Sequence, residues 1–210
     1  MKLGIISDIH GEIENLHNAL SLLQDIECKI ICLGDLVSED SSDNDQCINL
    51  IKEKNITTVL GQHDDTCIKV NSPPISDSSC SFLKSLPVFL ELDNIYLVHD
   101  NPLERARKGQ GMWKSGNYIK SFLEAEVVFE ELNSTQVKTQ FFLIGHTHVP
   151  KIFSSKNGEI NYSFNEPVQL ENDNKYIINP GRLGGVDRES MGVTCAFLDT
   201  DNYLVRIFRI

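Results

Sequence analysis

Short apolar, β-prone runs recur along the chain and stop abruptly at polar residues. They include Leu3-Gly-Ile-Ile6, Ile30-Ile-Cys-Leu33, Thr57-Thr-Val-Leu60, Ile95-Tyr-Leu-Val98 and Phe141-Phe-Leu-Ile144. Runs this short and this continuous fit strands buried on both faces. Residues 2–7 read as the first strand. From Glu12 to Ile26, the positions Ile13, Leu16, Leu20 and Leu23 repeat at helical spacing. Strand 29–33, a helix over 46–54 and strand 57–60 follow. This βαβαβ opening predicts a parallel sheet with right-handed crossovers. Residues 71–79, marked by Ser72-Pro73-Pro74, read as a loop. The runs 87–92 and 95–99 flank Asp93-Asn94 and predict a hairpin.

The pattern changes after residue 100. Pro102 and the glycines at 109, 111 and 116 break up the first part of 100–138. Tyr118, Phe122, Ala125, Val128 and Phe129 then predict an amphipathic helix. Beyond 139 the chain reads as strands at 139–144, 151–154, 159–164, 175–178, 192–198 and 203–209. An α/β half followed by a β-rich half predicts two packed sheets flanked by helices. Neither an internal repeat nor a linker is visible, so residues 1–210 are expected to form one domain. Residues 100–138 would be a cap or insertion over the site.

Composition narrows the partners. A length of 210 residues suffices for one well-buried domain. The net charge of −11 argues against long nucleic acid, which draws on a basic surface. It permits a small phosphorylated substrate, because a bound metal supplies local positive charge. Asp8 and His10 interrupt the first apolar run too early for a signal peptide, and no run approaches the ~20 residues of a membrane span. A soluble, cytoplasmic protein with no membrane partner is expected. The six cysteines form no Cys-x-x-Cys pair and read as free thiols, with Cys32 and Cys195 in the core. Oligomeric state leaves no trace in the sequence.

The polar residues that end the apolar runs carry the chemistry. They are Asp8-Ile9-His10, Gly34-Asp35, Gly61-Gln62-His63-Asp64, Val98-His99-Asp100 and Gly145-His146-Thr147-His148, which together hold five of the six histidines. Asn179-Pro-Gly181 follows Tyr176-Ile-Ile in the same way. Parallel strands deliver their C-terminal ends to one edge of a sheet, where ligands bind. Asp8 and His10 are two apart, as are His146 and His148. In an extended segment such pairs face one side and so one ion. Carboxylate oxygens with imidazole nitrogens suit Mn, Fe, Zn or Ni better than Ca, and the absence of thiolates argues against a structural zinc. One carboxylate can bridge two ions about 3.5–4 Å apart, and Asp35 is the natural bridge. His17, outside this set, reads as an ordinary surface or boundary residue of the first helix.

In these motifs the chain resembles the calcineurin-like metallophosphoesterases, whose pattern is Asp-x-His, Gly-Asp, Gly-Asn-His-Asp, a strand-end His and Gly-His-x-His. Val98-His-Asp-Asn-Pro102, Gly145-His-Thr-His-Val-Pro150 and Asn179-Pro-Gly-Arg-Leu-Gly-Gly185 are similar to the small bacterial and archaeal branch. The resemblance implies a four-layer α/β/β/α sandwich with a dinuclear site between the sheets. It implies that Asp8, His10, Asp35 and His148 hold one ion, and that Asp35, Gln62, His99 and His146 hold the other. His63 would protonate the leaving oxygen, with Asp64 orienting it. The implied function is metal-dependent hydrolysis of a phosphodiester or phosphomonoester by water activated between two divalent transition ions, manganese first among them. The alternative is a non-catalytic scaffold of the same fold that binds protein partners.

Three positions depart from the pattern. Gln62 replaces Asn, which moves the amide by roughly one C–C bond, ~1.5 Å, so that the second ion is held more weakly or through water. Asp100 replaces Gly and adds negative charge near an anionic substrate, unless it binds metal or pairs with a cation. Arg182 replaces Ser and is a candidate to clamp a phosphate or to pair with Asp100; both residues could equally be part of the rim. Beside the site, Trp113 and Tyr118 are candidates to stack on a base or aryl group, and Arg105 and Arg107 to meet phosphate. Tyr118 and Trp113 could instead pack their helix onto the body.

Overall fold

The computed structural model describes residues 1–70, 73–103, 118–134 and 138–210. Within them, twelve strands form two six-stranded sheets. The first sheet begins with β1 (Lys2–Ile6), β2 (Lys29–Cys32) and β3 (Thr57–Thr58), paired parallel as the βαβαβ pattern predicts. It continues antiparallel through β11 (Thr194–Asp199), β12 (Leu204–Arg209) and the edge strand β9 (Pro167–Gln169). The second sheet runs in the order β4 (Phe89–Leu92), β5 (Ile95–Val98), β6 (Phe141–Leu143), β10 (Tyr176–Asn179), β7 (Lys151–Ser154) and β8 (Gly158–Glu159). β4 and β5 are the expected hairpin.

The strand period of two divides the apolar residues between three cores. Leu3, Ile5, Ile31, Leu33 and Val59 of the first sheet meet Ile95, Leu97, Phe141, Leu143 and Ile178 of the second in a buried inter-sheet core. Their neighbours Ile6, Cys32, Cys195 and Phe197 point the other way. There they pack on Leu16, Leu20 and Leu23 of α1 (Ile13–Gln24), Cys47, Ile48 and Ile51 of α2 (Asn44–Glu53) and Leu83 of α4 (Asp77–Ser85). On the far side, Tyr96, Val98, Phe142, Phe153 and Ile177 meet Ala125, Val128, Phe129 and Leu132 of α5 (Phe122–Ser134). The result is the four-layer sandwich. All six cysteines are free, and Cys32 and Cys195 are buried as expected. His17 is exposed on α1.

Some local expectations need correction. Residues 77–85 are helical although 71–79 read as a loop; Ser76 caps α4 and, with Ser79, is bound by Asp45 at the start of α2. Residues 62–69 form a further helix, α3 (Gln62–Lys69), where the sequence showed only a motif. The strand expected at 159–164 shrinks to β8, and β9 was not expected; it opens on Pro167, which an edge strand tolerates. The described helix of the 100–138 segment, α5, forms the fourth layer. Arg105, Arg107 and Trp113 lie outside the described residues.

Candidate metal centre

The loops after β1, β2, β5 and β6 and the start of α3 converge on one point between the sheets. Their backbones are stitched together: the amides of Asp8, His10 and Gly11 donate to the carbonyls of Gly34, Asp35 and Leu36 at 2.9–3.0 Å. The side chains meet the same way. The His63 amide donates to Asp35 Oδ1 at 2.7 Å, and the His146 amide donates to Asp8 Oδ2 at 3.0 Å. Gly61 makes the approach possible, since a Cβ there would lie 2.0 Å from the Asp35 nitrogen.

The expected extended i, i+2 geometry is wrong. Asp8, His10, Asp35, His146 and His148 all have left-handed backbones, with φ of 52°, 49°, 55°, 68° and 63°. Such conformations cost on the order of 1–3 kcal/mol each and concentrate at functional sites. Here they turn consecutive strand-end residues inward, and the amide stitches hold them there.

The side chains form two groups that share Asp35. In the first, His10 Nε2 lies 3.1 Å from His148 Nε2, and Asp8 Oδ1 lies 3.9 Å from the former and 3.3 Å from the latter. In the second, Asp35 Oδ2 lies 3.0 Å from His99 Nε2, which faces His146 Nδ1 at 3.3 Å. The same Oδ2 is 3.9 Å from His10 Nε2, so it reaches both groups. His63 is exposed, sets its ring edge-on to His10 at 4.8 Å, and has a ligand-type atom within the reach of His10 and Asp35.

These residues fit a pair of divalent ions. His99 Nδ1 donates to the Leu33 carbonyl at 2.7 Å and His148 Nδ1 to the Val186 carbonyl at 2.9 Å, which fixes both rings with Nε2 toward the cluster. Asp8 Oδ1 is fully buried and meets no well-formed hydrogen-bond donor, with His148 Nε2 at 3.3 Å as its charged neighbour, so it is suited to a cation beside it. Charges in the cluster show the same demand. Burial alone would raise the Asp8 carboxyl, but His148, His99 and His10 hold it well below the usual carboxylate range. Burial alone would lower His99, yet Asp35, by charge and hydrogen bond, raises it to about 10. Burial and then the charge on His99 push His146 down to about 4. The buried carboxylates thus draw positive charge, here as the proton on His99, which a bound cation would displace, while His146 stays neutral.

Several roles read from the sequence change. Asp64 is not turned to His63: its carboxylate accepts from the amides of Leu36 at 2.8 Å, Val37 at 3.2 Å and Gly61 at 3.0 Å. Burial and the nearby Asp35 charge push its carboxyl up to about 7. Asp64 therefore ties the β2 loop to α3. Asp64→Ala would orphan three buried N–H groups, each worth about 1–3 kcal/mol. A lowered melting temperature of the metal-free protein is the expected result; unchanged unfolding would return Asp64 to an orienting role.

Arg182 is buried rather than at the rim. It donates to the carbonyls of Gly184 and Gly185, both at 3.0 Å, and pairs with Asp187 at 3.4 Å rather than with Asp100. It shapes the loop whose Gly185 lies against both imidazoles of the first group: a Cβ there would stand 2.7 Å from His10 Cδ2 and from His148 Cε1. Asp100 directly follows His99 and is half-buried. Gln62 is the first residue of α3, also half-buried. The Tyr118 ring packs on His146, with centroids 4.1 Å apart. Asn179 was noticed only as part of a motif. Its amide donates to the Gly145 carbonyl at 2.7 Å and Thr147 Oγ1 at 3.0 Å, and so braces the loop carrying His146 and His148.

The fold has counterparts. The calcineurin-like phosphoesterase superfamily domain matches residues 1–203. The uncharacterized protein MJ0912 of Methanocaldococcus jannaschii is 26% identical over 233 residues, covering 99% of this chain and 86% of that protein. Among solved structures, the metallophosphoesterase from Sphaerobacter thermophilus superposes with a TM-score of 0.81 at 24% identity, covering 100% of this chain and 88% of the other. An archaeal phosphodiesterase superposes with a TM-score of 0.54 at 18% identity, with both chains fully covered. From the extent of the family match, the chain belongs to the calcineurin-like phosphoesterase superfamily.

Proposed function

We propose that this protein hydrolyses a phosphate ester, a phosphodiester or phosphomonoester of a small molecule, with the help of two divalent transition ions. The observation that carries the reading is the position of Asp35 Oδ2, 3.0 Å from His99 Nε2 and 3.9 Å from His10 Nε2. One carboxylate within reach of two ligand groups is suited to bridge a dinuclear centre. Asp8, His10, Asp35 and His148 would hold one ion; Asp35, Gln62, His99 and His146 would hold the other. When bound, such ions clamp the phosphoryl oxygens and make water a nucleophile near neutral pH.

The chain's own residues supply the rest. His63, exposed beside the centre, holds the proton that goes to the leaving oxygen. The left-handed loop residues keep the ligand atoms fixed before substrate arrives. A scaffold protein would have no use for a proton donor and two ligand groups together, so catalysis is the better reading. The net charge of −11 favours a small phosphorylated substrate over a long nucleic acid. Six free cysteines agree with a reducing, cytoplasmic setting. No helix among the described residues is long and apolar enough to cross a membrane.

The test is reconstitution of metal-free protein with Mn²⁺, Fe²⁺, Zn²⁺ or Ni²⁺. A screen of phosphomonoesters, phosphodiesters and dinucleoside polyphosphates would follow. Metal-dependent turnover of at least one class is expected. Tight metal binding with no turnover of any class would leave the scaffold reading in its place.

A further inference from the structure

Helix α3 does more than present His63. His63, Thr66 and Cys67 follow one another at i, i+3 and i+4 on one face, and Val70, the extended residue that ends the helix, comes just after them. With Val37 and Glu39 of the β2 loop, that face walls a cavity of about 290 Å³. Val37 and Cys67 are buried, and Val70 is 46% exposed, an apolar side chain left facing solvent. Among the described residues, no lysine or arginine lines this cavity. Cations near the centre, Lys120, Lys151 and Arg188, line a separate cavity of about 150 Å³ beside Thr147. Glu39, exposed at the first cavity, has no ion-pair partner among the described residues.

We infer that the cavity beside His63 receives the carbon frame of the leaving alcohol, a neutral apolar group of one or two rings, and not a second phosphate. The inference rests on the phosphoesterase reading above. In that reaction water adds to phosphorus and the P–O bond to the alcohol breaks. The proton of His63 goes to the departing oxygen, so the products are a phosphate and a neutral alcohol. The group that gives the proton must lie beside the leaving oxygen, so whatever that oxygen carries lies beside His63. His63 lines the cavity, and the remaining described walls are mainly apolar, with the hydroxyls of Ser38 and Thr66 and one carboxylate. A small-molecule site commonly spans ~300–1,000 Å³. This cavity therefore has room for part of a substrate, with the phosphate itself left at the metal centre. Glu39 would repel an anionic leaving group such as a second phosphate.

The experiment compares the monoesters and methyl diesters of 2-naphthol and of trifluoroethanol, with Mn²⁺-loaded wild type, Thr66→Phe and Val70→Asp. Thr66 and Val70 are both exposed, so neither substitution disturbs the core. Filling or charging the cavity should lower kcat/KM for the naphthyl ester by roughly tenfold or more, within the range for an apolar pocket contact. The trifluoroethyl ester should change by less than about twofold, because its alcohol does not reach these walls. Binding of free 2-naphthol to the metal-free protein, followed by its own fluorescence, should weaken in parallel. Equal losses for both alcohols, or none, with wild type active, would overturn the cavity assignment and leave the phosphoesterase reading standing. Wild type inactive on every ester would remove that reading and the inference with it.

Discussion

Asp35→Asn should empty both metal positions at once. The substitution keeps the shape of the side chain, and its amide oxygen can still accept the His63 amide that Asp35 Oδ1 holds at 2.7 Å. What disappears is the charge shared by the two ligand groups. Losing an outer partner of a metal ligand typically weakens binding by roughly 10–100-fold, and a bridging ligand should exceed that at both positions. Elemental analysis after gel filtration should therefore show metal near zero in the variant, with activity falling in step. A variant that keeps one ion and loses the other would assign Asp35 to a single position and dissolve the dinuclear account.

His63→Ala should separate chemistry from metal binding. Its ring lies 4.8 Å from that of His10, but it is exposed, unlike the buried His10, His99 and His148. Loss of a general acid typically costs 10²–10⁴-fold, so kcat should fall on the order of 10³ with metal content unchanged. The loss should shrink for esters of nitrophenol, whose oxygen leaves without help. If metal content falls with activity, His63 is a ligand. If good and poor leaving groups suffer equally, it is not the proton donor.

Much of this centre was legible because strand ends are legible. Runs buried on both faces, such as Phe141-Phe-Leu-Ile144, announce themselves, and a polar residue at their end has one edge of the sheet to occupy. Spacing alone did not give the backbone. Asp8 and His10 are two apart in an extended strand and in the left-handed turn they adopt, and only the amide stitches to the β2 loop decide between the two. Long-range hydrogen bonds also hid α4, whose start depends on Asp45, 31 residues before Ser76. Asp64 and Arg182 looked like site chemistry because both are charged and sit inside motifs. Each instead satisfies backbone groups of the loops that carry the site, a role that shows only once the loops are folded.

The most direct measurement of the central claim is anomalous diffraction from Mn²⁺-soaked crystals, recorded at the manganese edge. The account predicts two peaks about 3.5–4 Å apart, one against Asp8, His10 and His148 and one against His99 and His146, with the Asp35 carboxylate touching both. A single peak, or two peaks of which Asp35 touches only one, would contradict it.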